Sequence, residues 1–111
     1  MDPVTDDREI IRRVLRRYVD IRYAYGDIQN ETVFDENSAR YLVLSQGWMN
    51  GGRVHGCLIH IEIIDDKLWI QRDGTEHGVA NDLVEEGIPK HRIVLGFWEP
   101  EARALGEFAA A

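Results

Sequence analysis

Four histidines, His55, His60, His77 and His91, together with Glu62, Asp73 and Glu76, are the side chains best suited to hold a metal ion or move a proton. His60 and Glu62 stand two residues apart and share one face of any strand that carries them, because side chains alternate along a strand. A metal site needs three or four donors at fixed intervals, and spacing places no third donor here. The expectation is that no metal and no other cofactor is bound, and that His60 is hydrogen-bonded to a neighbour such as Gln71 on a half-buried sheet face. Asp65-Asp66-Lys67 has the residue types of a Mg²⁺-dependent nuclease, in which paired carboxylates hold the cation and a lysine offsets developing charge. Its spacing is that of a hairpin tip. Ser38 and Ser45 have no histidine placed beside them by a motif. Cys57 is the only cysteine, which excludes an internal disulfide and a multi-cysteine zinc site; parity points it inward with Ile59 and Ile61. No catalytic residue emerges, and a protein without enzymatic activity is expected. The alternative is a small metal-dependent hydrolase using His55, His60, Glu62 and Asp73.

The remaining chemistry is electrostatic. Residues 1–25 hold six arginines against five acids, a net +1, whereas residues 26–111 hold seven basic and fifteen acidic side chains, a net −8. Non-specific affinity for nucleic acid comes from neutralising phosphates with Lys and Arg, so so acidic a body is not expected to bind DNA alone. Arg12, Arg13, Arg16 and Arg17 could form a phosphate-binding ridge; a solvated helix face, with Glu9 and Arg13 paired at i,i+4, is the plainer account.

These residues depend on a few elements for their positions. The length of 111 residues, with 44% hydrophobic and 30% charged side chains, suits one globular domain spanning 1–111. Apolar runs such as Cys57-Leu58-Ile59 fall far short of the roughly 18 residues of a membrane span. The acidic N-terminus lacks secretory-signal features, so the protein is expected in the cytoplasm. Ile10, Ile11, Val14, Leu15, Tyr18 and Val19 recur with helical period and predict a helix from Thr5 or Asp6 to Asp20, capped by one of those two residues. Tyr23 to Asp27 reads as a connection. Strands are predicted at 28–34, 41–48, 54–64 and 68–72, separated by the turns Asp35-Glu36-Asn37-Ser38, Asn50-Gly51-Gly52 and Asp65-Asp66. Together they form an antiparallel meander packed on the N-terminal helix, an α+β fold. Asp73-Gly74-Thr75-Glu76 opens a second helix, with Asp73 or Thr75 as cap, and Gly87-Ile88-Pro89 ends it. Residues 93–97 form a short extended segment, and a short helix or turn follows from Pro100.

Hairpin partners across a two-residue loop share a face. The Asp65-Asp66 turn then sets Ile63 opposite Leu68 and Ile61 opposite Ile70, with Ile59 beside them. Counting from Asn50-Gly51 or Gly51-Gly52 adds Leu42 and Leu44 to that inner face. The other face carries Tyr41, Val43, Leu58, His60, Glu62, Trp69 and Gln71. From it the candidate interaction residues are Tyr41, Leu58, His60, Glu62, Trp69 and Gln71, with Trp69 as the anchor that large aromatics commonly supply. Such a face is also expected to pair with a second copy of the chain.

The run Arg53-Val54-His55-Gly56-Cys57-Leu58-Ile59-His60-Ile61 resembles the central strand of the XisI family, the fdxN element excision controlling factors of cyanobacteria. Further matches follow the family's order: Tyr25-Gly26-Asp27, Gly47-Trp48, Trp69 to Glu76, Ala80-Asn81-Asp82-Leu83-Val84, Gly87-Ile88-Pro89-Lys90, Ile93-Val94-Leu95-Gly96-Phe97 and Pro100. They cover nearly the whole chain. The resemblance implies a small α+β protein that works with a companion, XisH, in controlling excision of a DNA element during heterocyst differentiation. A separate site-specific recombinase exchanges the strands. XisH resembles restriction-endonuclease-like folds, which implies a role as partner, or antitoxin-like restrainer, of a nuclease-like protein. The family supplies no catalytic residues to carry over.

Overall fold

The computed structural model describes residues 3–20 and 27–111. Helix α1 (Pro3–Arg17) starts at a proline, which suits the first helical turn because it has no N–H to leave unpaired. Thr5 and Asp6, expected as caps, therefore lie inside the helix. Its apolar stripe buries Ile11, Val14 and Leu15 completely. The helix stops short of Asp20: the Tyr18 and Val19 amides donate to the Leu15 and Arg16 carbonyls at 3.1 and 3.2 Å, closing a final tight turn. The predicted connection at 23–27 lies outside the described residues, except for Asp27, which opens the sheet.

Strands β1 (Asp27–Asp35), β2 (Arg40–Met49), β3 (Gly52–Ile64) and β4 (Lys67–Asp73) follow one another as an antiparallel meander. Two of the turns take positive φ at both central residues, Asn50 (52°) with Gly51 (79°) and Asp65 (50°) with Asp66 (65°). This is the mirror-image turn whose twist matches that of the flanking strands. In the first turn Asp35 Oδ1 accepts from the Asn37 amide at 3.0 Å, and the Ser38 hydroxyl donates to Asp35 Oδ2 at 2.8 Å.

The sheet as a whole is mixed rather than purely antiparallel. Within the segment expected to be extended, residues 93–95 form a fifth strand, β5, parallel to β4 with Leu68 opposite Ile93 and Ile70 opposite Leu95. A parallel neighbour requires a crossover, and helix α2 (Val79–Glu85) with a 3₁₀ turn at Lys90–Arg92 supplies it. Asp73 organises that crossover. Its Oδ1 accepts from the Thr75 amide and hydroxyl at 2.9 and 2.6 Å, and its Oδ2 accepts from the Val79 amide at 2.8 Å. The helix thus begins later than the Asp73 or Thr75 cap predicts, with Asp73 reaching across the loop to its first amide. It ends as expected: Gly87 (φ 108°) donates to Val84 and Ile88 to Leu83, each at 3.0 Å, the paired bonds of a left-handed glycine stop. Helix α3 (Pro100–Ala104) follows β5.

Two bulges change the side-chain parity. From the Asn50-Gly51 turn, β2 and β3 pair regularly as far as Leu44 opposite Cys57; pairing then resumes at Val43 opposite Ile59, leaving Leu58 as the extra residue. Leu42 and Leu44 were expected on the inner face, but Tyr41 and Val43 occupy it and are fully buried. Between β3 and β4 the register is as predicted at Ile63–Leu68 and Ile61–Ile70, after which a second bulge sets His60 opposite Arg72 and leaves Gln71 unpaired. Each extra residue flips the pairing beyond it. The core lies between this face and the helices: Ile11, Val14 and Leu15 of α1 and Val79, Ala80 and Leu83 of α2 cover Tyr41, Val43, Ile59, Ile61, Leu68 and Ile70.

Buried polar groups inside this layer are paired. The Asn30 amide donates to the Tyr18 carbonyl at 2.8 Å and its oxygen accepts from the Ser45 hydroxyl at 2.6 Å. Asp7, 2% exposed, takes both ends of the Arg92 guanidinium.

Gly47 leaves no room for a side chain between β2 and β1. A Cβ there would lie 1.8 Å from the Asp27 carbonyl oxygen, whereas one on Gly51 (φ 79°) would meet nothing within 4 Å. Gly47→Ala is expected to cost at least about 3 kcal/mol in urea unfolding, and Gly51→Ala only about 1–2 kcal/mol from its φ. Equal losses would contradict the close approach.

Candidate interaction face

The side of the sheet turned away from α1 and α2 follows from the register. Val33, Leu42 and His60 lie in one cross-strand row, Glu31, Leu44 and Cys57 in the next, and Arg40, Glu62 and Trp69 in a third. Val33 is 44% exposed, Leu42 and Leu44 are half-buried, and charged side chains flank them. Glu62 connects the polar members, with Oε2 3.4 Å from Arg40 Nε and Oε1 3.3 Å from His60 Nε2. At the β2–β3 hairpin end, Trp48 is 54% exposed, carries the Arg53 guanidinium 5.4 Å above its ring, and borders an open hollow shared with Asp27, Gln29 and Gln46.

Of the residues singled out from sequence, His60, Glu62 and Trp69 lie on this outer side. Tyr41 does not: the slip at Leu58 turns it inward, where it packs against Phe34 and its hydroxyl donates to Glu36 at 2.8 Å. Leu58, the bulged residue, packs against the core and approaches the Gly74 backbone. Gln71 lies with its side-chain oxygen against Gly96 and is not the partner of His60, whose Nε2 is buried beside Glu62 Oε1 and makes no hydrogen bond among the described residues. Trp69 is not a free anchor. Arg103 of α3 covers it, the guanidinium 5.2 Å from the ring centroid, and Gly96 closes on its edge. The apolar centre of the face is therefore Val33, Leu42 and Leu44, which parity counted from the turn had assigned to the core or left aside.

The alternative hydrolase set does not assemble. His55 and His60 lie on one strand, about 16 Å apart at the rise of β structure, and Asp73 spends both carboxylate oxygens on the crossover loop and α2. Ser38 and Ser45 are committed to Asp35 and Asn30. Cys57 is displaced from its expected inward position to stand opposite Leu44, half-buried. Burial pushes its thiol up from the ordinary value, opposite to what a nucleophile needs.

The arginines of α1 do not form a free ridge. Arg8 and Arg12 donate to Glu36 at 2.8 and 2.7 Å, Arg13 donates to Glu86 at 2.8 Å rather than pairing with Glu9, and Arg17 also donates to Glu86. Arg16 lies 5.5 Å over the Phe34 ring. Burial alone would raise the Glu36 carboxyl, but hydrogen bonds from Tyr41, Arg8 and Arg12 outweigh it and hold the group below its ordinary value. Burial, reinforced by the bond to Glu36, pushes the Tyr41 phenol up to about 12. Arg17, then Arg13, hold Glu86 below its ordinary value in the same way.

A five-stranded mixed sheet with α1 and α2 on one side, and on the other a mixed face that α3 covers in part at Trp69, defines a small α+β protein. The chain belongs to the XisI family: the family model, described as XisI protein, matches residues 1–110. Among solved structures, a XisI-like protein from Anabaena variabilis is 28% identical, with a TM-score of 0.85 over 99% of this chain and 100% of that one. The fdxN element excision controlling factor XisI from the same organism is 32% identical, with a TM-score of 0.82 over the same shares. No curated protein matches. Among the described residues no helix is long and apolar enough to cross a membrane.

Because the folded values of Glu36 and Glu86 are lowered, their ion pairs stabilise the fold fully above the ordinary value of 4.5 and lose that contribution as pH falls through the lowered values. Thermal unfolding from neutral pH to about pH 3 should therefore show a smaller acid-induced drop in midpoint for a Glu36→Gln, Glu86→Gln double variant than for the wild type. Parallel curves would mean that the pairs contribute nothing.

Proposed function

We propose that this chain is a non-catalytic accessory factor in the control of DNA-element excision, acting through a XisH-like partner. The carrying observation is the match to the fdxN element excision controlling factor XisI along the full length of that protein. Three features of the chain support the reading. Its charge is −7 overall, which opposes direct phosphate binding, and four of the five arginines of α1 are held in ion pairs with Glu36 and Glu86. The outer sheet face combines an apolar centre with a charged surround, the anatomy of a protein contact surface. The hydrolase set of His55, His60, Glu62 and Asp73 does not assemble, and Asp73, Ser38 and Ser45 are committed to structural hydrogen bonds. A basic, nuclease-like companion seated on the outer face would gain both electrostatic steering and apolar burial.

Co-purification with a XisH-like protein tests this directly. A stable complex is expected, and Leu42→Asp or Leu44→Asp should weaken it by at least about 2 kcal/mol in calorimetric titration while circular dichroism stays native. Failure of the wild-type proteins to associate would overturn the partner assignment. Unchanged affinity in both variants would move the contact to another surface.

A further inference from the structure

A second cluster of titratable side chains stands apart from the sheet face, where the crossover loop meets α2. His77 closes the loop just before the helix, while Asp82 and Glu85 stand one turn apart on it and share a face. Nε2 of His77 lies 3.3 Å from Asp82 Oδ1 and 3.7 Å from Glu85 Oε1, and one donor atom from each residue falls within 4.8 Å of the other two. Nitrogen and oxygen ligands bind zinc at about 2.0–2.2 Å, so tetrahedral neighbours are separated by about 3.3–3.6 Å. The two distances from His77 thus already stand near the spacing that a shared cation imposes, and the two carboxylates lie within 4.8 Å of each other.

One donor is held in place from outside, and the backbone of a second is tied to the helix. The Tyr18 hydroxyl of α1 donates to Asp82 Oδ2, leaving Oδ1 turned to His77, and the Asp82 side chain is only 14% exposed. The Asn81 side-chain amide donates to the His77 carbonyl at 2.7 Å and ties the loop end to the first turn of α2. A contact on the ligating side chain itself, as Tyr18 makes on Asp82, orients a ligand and strengthens a metal site. The side chains of His77 and Glu85, 57% and 65% exposed, leave the opposite side open for entry and for bound water. Arg17 pairs with Glu86, which it shares with Arg13.

We propose that His77, Asp82 and Glu85 form a divalent transition-metal site that clamps the crossover loop onto α2, with Tyr18 as the positioning residue. One imidazole and two carboxylates suit Zn²⁺, Co²⁺ or Ni²⁺, whereas an all-oxygen set would suit Mg²⁺ or Ca²⁺. The site shares no residue with the outer sheet face and does not depend on the partner proposed for it.

The test is calorimetric titration of the chelator-stripped full chain with Zn²⁺, alongside visible absorption of the Co²⁺-loaded protein. One equivalent is expected to bind, with His77→Ala and Glu85→Gln each weakening it at least about tenfold, Tyr18→Phe weakening it less at the same stoichiometry, and exposed His91→Ala leaving it unchanged. The Co²⁺ ligand-field bands should disappear in His77→Ala and persist in His91→Ala. Absence of saturable binding up to about 1 mM Zn²⁺, or binding that survives both His77→Ala and Glu85→Gln, would overturn the site.

Discussion

The pairing of β2 with β3 is regular from the Asn50-Gly51 turn to Leu44 opposite Cys57, then slips by one residue around Leu58. Since side chains alternate with a period of two, the slip exchanges the faces of everything beyond it. Tyr41 and Val43 enter the core beneath α1 and α2, and Leu42 passes to the outside beside Val33 and His60. The bulged Leu58 stays with the core and accepts the Gly74 amide at its carbonyl, at 2.8 Å. That contact anchors the start of the crossover to β5. The helix layer, the parallel fifth strand and the composition of the outer face all depend on this one irregularity.

The burial of Tyr41 accounts for the electrostatics above it. A phenol drawn into the core needs a partner for its hydroxyl, and Glu36 supplies one while receiving Arg8 and Arg12 from α1. Glu86 does the same for Arg13 and Arg17 at the end of α2, and Asp7 for Arg92. The arginines of α1 thereby hold helix to sheet and helix to helix. Four of the five are thus tied into the molecule, while the chain as a whole carries its net charge of −7 into encounters with other molecules.

Much of this was legible in the sequence where local chemistry decides. Paired positive-φ turns at Asn50-Gly51 and Asp65-Asp66, the stripe of α1 and the Gly87 stop of α2 follow from residue type alone. So does the Ile61–Ile70 register next to its turn. The bulges were not legible, because Tyr41-Leu42-Val43-Leu44 is apolar at every position and offers no alternation from which to detect a slip. A three-residue strand such as β5 carries no periodicity, and its parallel pairing depends on a crossover. The partners of α1 lie too far along the chain for spacing to reveal them, Glu36 at 28 residues from Arg8 and Glu86 at 73 from Arg13. The family motifs, by contrast, were readable throughout, and the family match spans 1–110. The cluster of His77, Asp82 and Glu85 was half visible: helical spacing pairs the two acids, but only the loop geometry set by Asp73 brings the histidine to them.

The central claim is that the outward-facing centre of the sheet, created by the slip at Leu58, is the surface that meets the companion protein. Methyl-resolved NMR of the isotopically labelled chain, titrated with the unlabelled XisH-like protein, reports on that surface residue by residue. The methyl signals of Val33, Leu42 and Leu44 should shift or broaden on binding, while those of Ile11, Val14 and Leu83 beneath the helices stay in place. The largest changes at α1 and α2, with Val33, Leu42 and Leu44 untouched, would contradict the claim.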